Sequence, residues 1–186
     1  AVTDTTQSVA WGDYDGDGDL DLAVGNGHWT SAIGEPNRIF RNIGGGLTTN
    51  SVFTTTESEP THSVAWGDYD GDGDLDLAVG NFRGPNQLYR NDSVDMTPTL
   101  TLVWSASLVE YTQSVAWGDM DGDGALDLAI GNAGDPIRLY RNEGAALTSN
   151  LAWSSDESDA TWSIAWGDYD NDGDLDLTAG NNGQPS

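Results

Sequence analysis

No cysteine and no lysine occur in the 186 residues, and histidine occurs twice. The first absence excludes disulfides and thiolate metal ligands, and leaves the redox compartment open because a secreted protein can lack cysteine. The second leaves six arginines as the whole basic complement against 31 acids. A net charge of −25 argues against nucleic acid or an anionic membrane as partner. With so few histidines and no lysine there is little material for a nucleophile and its base. No apolar run approaches the ~20 residues that a membrane span needs. No signal peptide opens the chain, so a mature, trimmed or partial chain is expected.

The acids are not scattered. Nineteen of the 31 lie in four short stretches, inside a nineteen-residue motif that reads SVAWGDYDGDGDLDLAVGN at 8–26 and again, unchanged, at 63–81. It returns with few changes at 114–132 and 163–181. The starts are 55, 51 and 49 residues apart, so the chain is a tandem repeat of about fifty residues. Within 1–186, read as one domain, the units run approximately over 8–58, 63–108, 114–157 and 163–186, the last one cut short.

Each unit carries short apolar runs, rich in β-branched and aromatic residues and fenced by Gly, Asn, Pro or Asp, which predicts strands. In the first run Val9 and Trp11 share one face and Ala10 and Gly12 the other; in the second, Leu20, Leu22 and Val24 oppose Ala23 and Gly25. A bulky face and a small face, neither charged, suit burial on both sides. Four such strands repeating every forty to fifty residues predict an all-β fold of β-propeller blades, each of four antiparallel strands. The chain would hold about three and a half blades, and an open stack is expected to belong to a longer protein or to close by self-association.

The acidic stretch lies between the first and second strands of each unit. Counted from Asp13, acids stand at positions 1, 3, 5, 7 and 9 with Gly18 at position 6. Carboxylates at alternating positions of a tightly curved loop can converge on one calcium ion, which takes about 6–8 oxygens, and glycine permits the wrap. Asn171 replaces the position-4 glycine in the fourth copy, and asparagine best tolerates a left-handed backbone after glycine. Position 7 becomes Ala125 in the third copy, which points to a main-chain carbonyl there. The side-chain ligand sets are therefore Asp13, Asp15, Asp17 and Asp21; Asp68, Asp70, Asp72 and Asp76; Asp119, Asp121, Asp123 and Asp127; and Asp168, Asp170, Asp172 and Asp176. Asp19, Asp74, Ala125 and Asp174 offer their carbonyls, giving four calcium sites, one per repeat.

Four converging carboxylates make six repulsive pairs, together on the order of 20 kcal/mol at an effective dielectric near 20. A divalent cation reverses that sign. Zinc and copper lack the Cys and His ligands they prefer, and magnesium favours fewer carboxylates and more water. An EF-hand would need Glu at position 12, where Val24, Val79, Ile130 and Ala179 stand.

DYDGDGDLDLAVGN followed by blocks such as NRIFRN and NQLYRN resembles the FG-GAP/VCBS repeats and is similar to the calcium-binding blades of integrin α-subunit propellers. Trp-Gly stands in place of Phe-Gly, and NFRGPN or NAGDPI in place of a clean Gly-Ala-Pro, which puts the chain nearer the bacterial VCBS branch. The resemblance implies a propeller with calcium between the first two strands of each blade, usually in an extracellular or cell-surface protein.

Variation between the copies marks where the scaffold is indifferent. The first copy has ten residues from Asn26 to Pro36 where the others have four, an insertion that includes His28 and Trp29. Gln7, His62, Gln113 and Trp162 differ at one equivalent point between a repeated Thr and Ser. His28, Trp29, His62 and Trp162 are candidate contacts for a carbohydrate or protein ligand, with tolerated loop or rim drift as the alternative. Arg41, Arg90 and Arg141 recur in the third strand, where pairing with acids or capping of carbonyls within the blade is expected. Catalysis has weak support: the aspartates are committed to metal, and Glu35 is a possible acid without an evident partner.

The expected function is thus non-enzymatic, a calcium-rigidified propeller module of a secreted or cell-surface protein that presents loops for recognition or adhesion. The alternatives are the propeller portion of a secreted polysaccharide-active lyase or hydrolase, and a purely structural spacer.

Overall fold

The apolar blocks become strands and each acidic stretch becomes the turn between two of them. The computed structural model describes residues 4–28, 34–92, 99–144 and 146–183, and among these it is all-β, with twelve strands and no helix. The first copy forms β1 (Thr6–Gly12), β2 (Asp21–Asn26), β3 (Arg38–Phe40) and β4 (Phe53–Thr54), an antiparallel meander in that order. Val9 stands opposite Val24 and Trp11 opposite Leu22, a register set by the acidic turn that joins Gly12 to Asp21.

The second copy contributes β5 (Thr61–Gly67) and β6 (Asp76–Asn91). A straight strand of sixteen residues would span about 50 Å, yet the Asn91 amide donates to Asp76 Oδ1 at 2.8 Å. β6 therefore doubles back on itself, past Arg83 at φ 64°, and holds both the second and third strands of its copy. β7 (Leu100–Gly118) likewise serves two copies. Its first half pairs with β6, Leu100 opposite Asn91, and its second half with β8 (Asp127–Asn132), Val115 opposite Ile130. β9 (Arg138–Tyr140) and β10 (Trp153–Ser154) complete the third copy, and β11 (Thr161–Gly167) and β12 (Asp176–Asn181) form the two-stranded start of the fourth.

One departure from separate four-stranded blades follows. The second and third copies share a six-stranded sheet, because the Phe82–Pro85 turn pairs with Val109–Tyr111 and carries hydrogen bonding across the boundary.

What stacks one copy on the next is a contact made three times. Trp66 Nε1 donates to the Ala10 carbonyl at 3.2 Å and the Val64 amide to Ser8 Oγ at 3.1 Å. Trp117 and Val115 do the same to Ala65 and Ser63, and Trp166 and Ile164 to Ala116 and Ser114. Each indole lies in a notch left by glycine: a Cβ on Gly12, Gly67 or Gly118 would come within 2.8, 2.6 or 2.6 Å of the following tryptophan. The bulky and small faces read from the sequence are the two sides of this contact. Burial on both faces accordingly holds for β8, between two neighbours, but not for β12. Between the sheets lie apolar clusters, the first of them including Tyr14, Ile39, Val64, Leu77 and Tyr89.

A polar thread accompanies the apolar one. Asn37 Nδ2 donates to Thr61 Oγ1 at 3.0 Å, which donates to Asn81 Oδ1 at 2.7 Å; Asn86, Thr112 and Asn132 repeat the chain one copy later. These buried groups are thereby satisfied, as burial requires.

Candidate functional site

The four turns fold alike because their glycines and one asparagine take the left-handed backbone. Gly16 and Gly18 sit at φ 71° and 92°, Gly71 and Gly73 at 75° and 97°, and Gly122 and Gly124 at 72° and 91°. In the fourth turn Asn171 sits at 62° and Gly173 at 99°, so asparagine does take the position-4 conformation. The curl lets the first carboxylate cap its own loop. Asp13 accepts from the amides of Asp17 at 3.1 Å and Gly18 at 2.9 Å, and Asp68, Asp119 and Asp168 make related bonds.

Carboxylate oxygens converge in each turn. Asp13, Asp15 and Asp17 in the first, Asp68, Asp70 and Asp76 in the second, Asp119, Asp121 and Asp127 in the third, and Asp168, Asp170 and Asp176 in the fourth each bring one oxygen within 4.8 Å of the others. Every group could hold a metal ion, and every donor is a hard oxygen. Asp15 Oδ1 and Asp70 Oδ1 are buried and accept no hydrogen bond, an arrangement costly for a carboxylate and natural for a cation ligand. The residues present therefore fit a hard divalent cation.

The position-9 aspartate has a second task that its place in the sequence does not announce. Asp21 accepts from the amides of Tyr14 at 3.1 Å and Asn42 at 2.7 Å, clamping the turn to the chain that leaves β3. Asp76 and Asp127 do the same with Tyr69 and Asn91, and with Met120 and Asn142. The asparagines reach further: Asn91 Nδ2 donates to the Tyr14 carbonyl at 2.7 Å and Asn142 Nδ2 to the Tyr69 carbonyl at 2.5 Å. The first and second acidic turns are thus each gripped by the next copy. The recurring Arg-Asn pair was the available signal, since Asn42, Asn91 and Asn142 stand at one equivalent point.

Electrostatics follow burial. Desolvation raises the carboxyl groups of Asp15, Asp21, Asp70 and Asp127, and pushes Asp76 up to about 7. Asp17 and Asp123 are lowered, first by the amides of Asp19 and Ala125 and then by arginine. Arg41 pairs with Asp15 and, at 3.0 Å, with Asp17; Arg141 lies 2.5 Å from Asp121 and 3.3 Å from Asp123. Arg90 turns instead to Asp92 at 2.9 Å. The arginines do pair with acids, and two of them pair with the candidate ligands. Arg41 and Arg141 stand one residue beyond β3 and β9.

The four variable positions share a structural cause. Gln7, His62, Gln113 and Trp162 are each the extra residue of a β-bulge, where the register slips between the flanking Thr and Ser. A bulged side chain is released from the pleat alternation, so the scaffold does not dictate its identity. His62 is 6% exposed, stacks on Phe82 with centroids 4.7 Å apart, and pairs through Nδ1 with Gln113 Oε1 at 3.0 Å. Trp162 is 47% exposed, and His28 is exposed beyond β2. Trp29 lies outside the described residues. Glu35 accepts from the Thr5 amide at 2.5 Å.

Comparison with known families places this geometry. The FG-GAP-like repeat matches residues 28–79, 68–130 and 119–179, and the FG-GAP repeat matches 5–39. The FG-GAP-like matches overlap on the second and third acidic turns, and those over 68–130 and 119–179 each span from one candidate metal group to the next. No curated protein matches the chain.

Proposed function

Because the chain belongs to the FG-GAP repeat family, whose members are typically non-catalytic scaffold modules of extracellular or cell-surface proteins, we propose that it is a calcium-binding β-propeller module. Calcium rigidifies it, and its exposed loops serve recognition rather than catalysis. The observation that carries this reading is the fourfold convergence of aspartate oxygens, with buried carboxylate oxygens that accept no hydrogen bond. No helix among the described residues is long and apolar enough to cross a membrane.

Bound calcium supplies the positive charge that the converging carboxylates need. The chain's own contribution is to hold them: left-handed glycines curl the turn, Asp13 and its equivalents cap it, and Asp21 and its equivalents tie it to the third strand. Ordering that turn orders the first strand of each blade against the second, so metal binding is linked to folding, and millimolar extracellular calcium suffices even for weak sites. For recognition the bulge row offers Trp162, with His28 on the insertion, as contacts for a carbohydrate or protein. His62 is engaged internally and shapes that row from beneath.

Thermal unfolding tests the metal. The midpoint is expected to drop sharply in chelator, to return with calcium, and not to return with equal magnesium. An unchanged midpoint in chelator overturns the assignment. Glycan and protein arrays with the wild type and Trp162→Ala test recognition, and signals that the variant keeps in full count against the bulge row.

A further inference from the structure

Four residues at points where the copies differ meet where the second copy joins the third. The His62 ring stacks on Phe82 with centroids 4.7 Å apart, and Phe82 lies 5.1 Å from Tyr111. The Arg83 guanidinium carbon stands 5.2 Å from the centre of the Phe82 ring and 5.3 Å from that of Tyr111. We propose that Arg83, with Tyr111 beside it, binds the carboxylate of a uronic acid in an acidic saccharide. This rests on the recognition reading above and names its ligand class; it uses neither the acidic turns nor Trp162.

The cluster belongs to the second copy's surroundings alone. Where Phe82 and Arg83 stand, the third copy has Ala133 and Gly134 and the fourth Asn182 and Gly183. Tyr111 is matched by Thr5, Pro60 and Ala160. The site lies inside the stack, on a copy that packs on the first and is packed upon by the third.

The backbone marks the same point. Arg83 takes a left-handed φ of 64° and is the extra residue of a bulge between Phe82 and Gly84. Gly134 and Gly183 hold the equivalent place at φ 89° and 84°, where glycine meets no steric penalty. An arginine kept in a conformation that glycine would serve better costs stability, and bulges re-aim side chains, so the side chain itself is what the position gains.

Arg83 is exposed and, among the described residues, pairs with no carboxylate, whereas Arg38, Arg41, Arg90, Arg138 and Arg141 each do. A guanidinium stacked on rings keeps its in-plane N–H groups to donate, a fork that fits a carboxylate through two hydrogen bonds. Tyr111, 40% exposed, adds aromatic surface for sugar C–H groups and a hydroxyl for sugar oxygens. A peptide carboxylate is the poorer match. Extended peptides draw affinity from a free strand edge, and here the Phe82–Pro85 turn already pairs with Val109–Tyr111.

Titration calorimetry in saturating calcium reads the site, with a glucuronate-containing hexasaccharide and the same sugar after reduction of its carboxyl groups. The wild type is expected to bind the acidic sugar about tenfold more tightly than the neutral one, the scale of one charge-assisted hydrogen bond. Arg83→Gly is expected to lose that tenfold with no fall in its unfolding midpoint, since glycine occupies the equivalent turns. Tyr111→Thr, which installs the first copy's residue, is expected to lose about fivefold. Bridging of the sugar by calcium at the acidic turns persists in Arg83→Gly, so affinity that this variant keeps in full overturns the proposal. A wild type that does not bind the acidic sugar, or that binds hexaglutamate as tightly, overturns it as well. Arrays blank for every glycan and protein defeat the recognition reading as a whole, whereas signals for ligands without uronate that Arg83→Gly leaves unchanged defeat this site alone.

Discussion

The side-chain amide of Asn91 donates to the main-chain carbonyl of Tyr14 at 2.7 Å, across 77 residues. This bond fastens the acidic turn of the first copy to the third strand of the second. Its loss leaves a buried carbonyl without its donor, which costs about 1–3 kcal/mol. Asn91→Ala is expected to lower stability in urea by that amount. Asn42→Ala is expected to cost less, because among the described residues Asn42 grips no preceding turn.

Glycine at the notch is required by the neighbour's indole. Gly67→Ala would place a Cβ 2.6 Å from Trp117. Overpacking of this kind costs about 1–3 kcal/mol. Equilibrium unfolding of Gly67→Ala beside Gly167→Ala checks it, and only the former is expected to lose stability.

Stoichiometry separates the four turns. Asp70→Asn changes a candidate ligand whose Oδ1 is buried without a hydrogen-bond donor. Titration calorimetry of this variant is expected to show one calcium fewer per chain than the wild type, with the remaining sites unchanged.

Arg41 stands on Asp15 and Asp17 as a built-in counter-ion. Arg41→Met is expected to raise calcium affinity at the first turn by about two- to fivefold, the range of a partly exposed ion pair. In chelator the same variant is expected to unfold earlier, because the carboxylates lose the positive charge that pairs with them. Calcium titration and a midpoint in chelator move in opposite senses, which a merely structural role for the arginine does not produce.

Burial holds the His62 imidazole below its ordinary value of 6.5, against the opposing effect of its bond to Gln113. As pH falls through 6.5 the unfolded chain takes up a proton that the folded chain resists. The contribution of His62 to stability is therefore expected to be full above that point and to decline as pH falls toward the lower folded value. Urea midpoints between pH 7.5 and 5.5 check the slope, and His62→Gln is expected to flatten it.

The repeat, its strands and its acidic turns were legible in the sequence, because each is a local matter. Alternation along five or six residues sets a strand's two faces, and Asp-Gly spacing within nine residues sets the curl, down to the left-handed Asn171. The tertiary structure alone decided what lies between copies. Nothing local to Trp66 says that its indole N–H reaches Ala10, or to Asn91 that it holds Tyr14, since both bonds span more than fifty residues. The doubled-back β6 and the sheet shared by the second and third copies have the same origin in long-range pairing. So has the burial of His62, a variable residue by sequence that the bulge turns inward onto Phe82. Local chemistry determined which residues can curl, pair and bind a cation, and packing determined which faces are covered and which remain open.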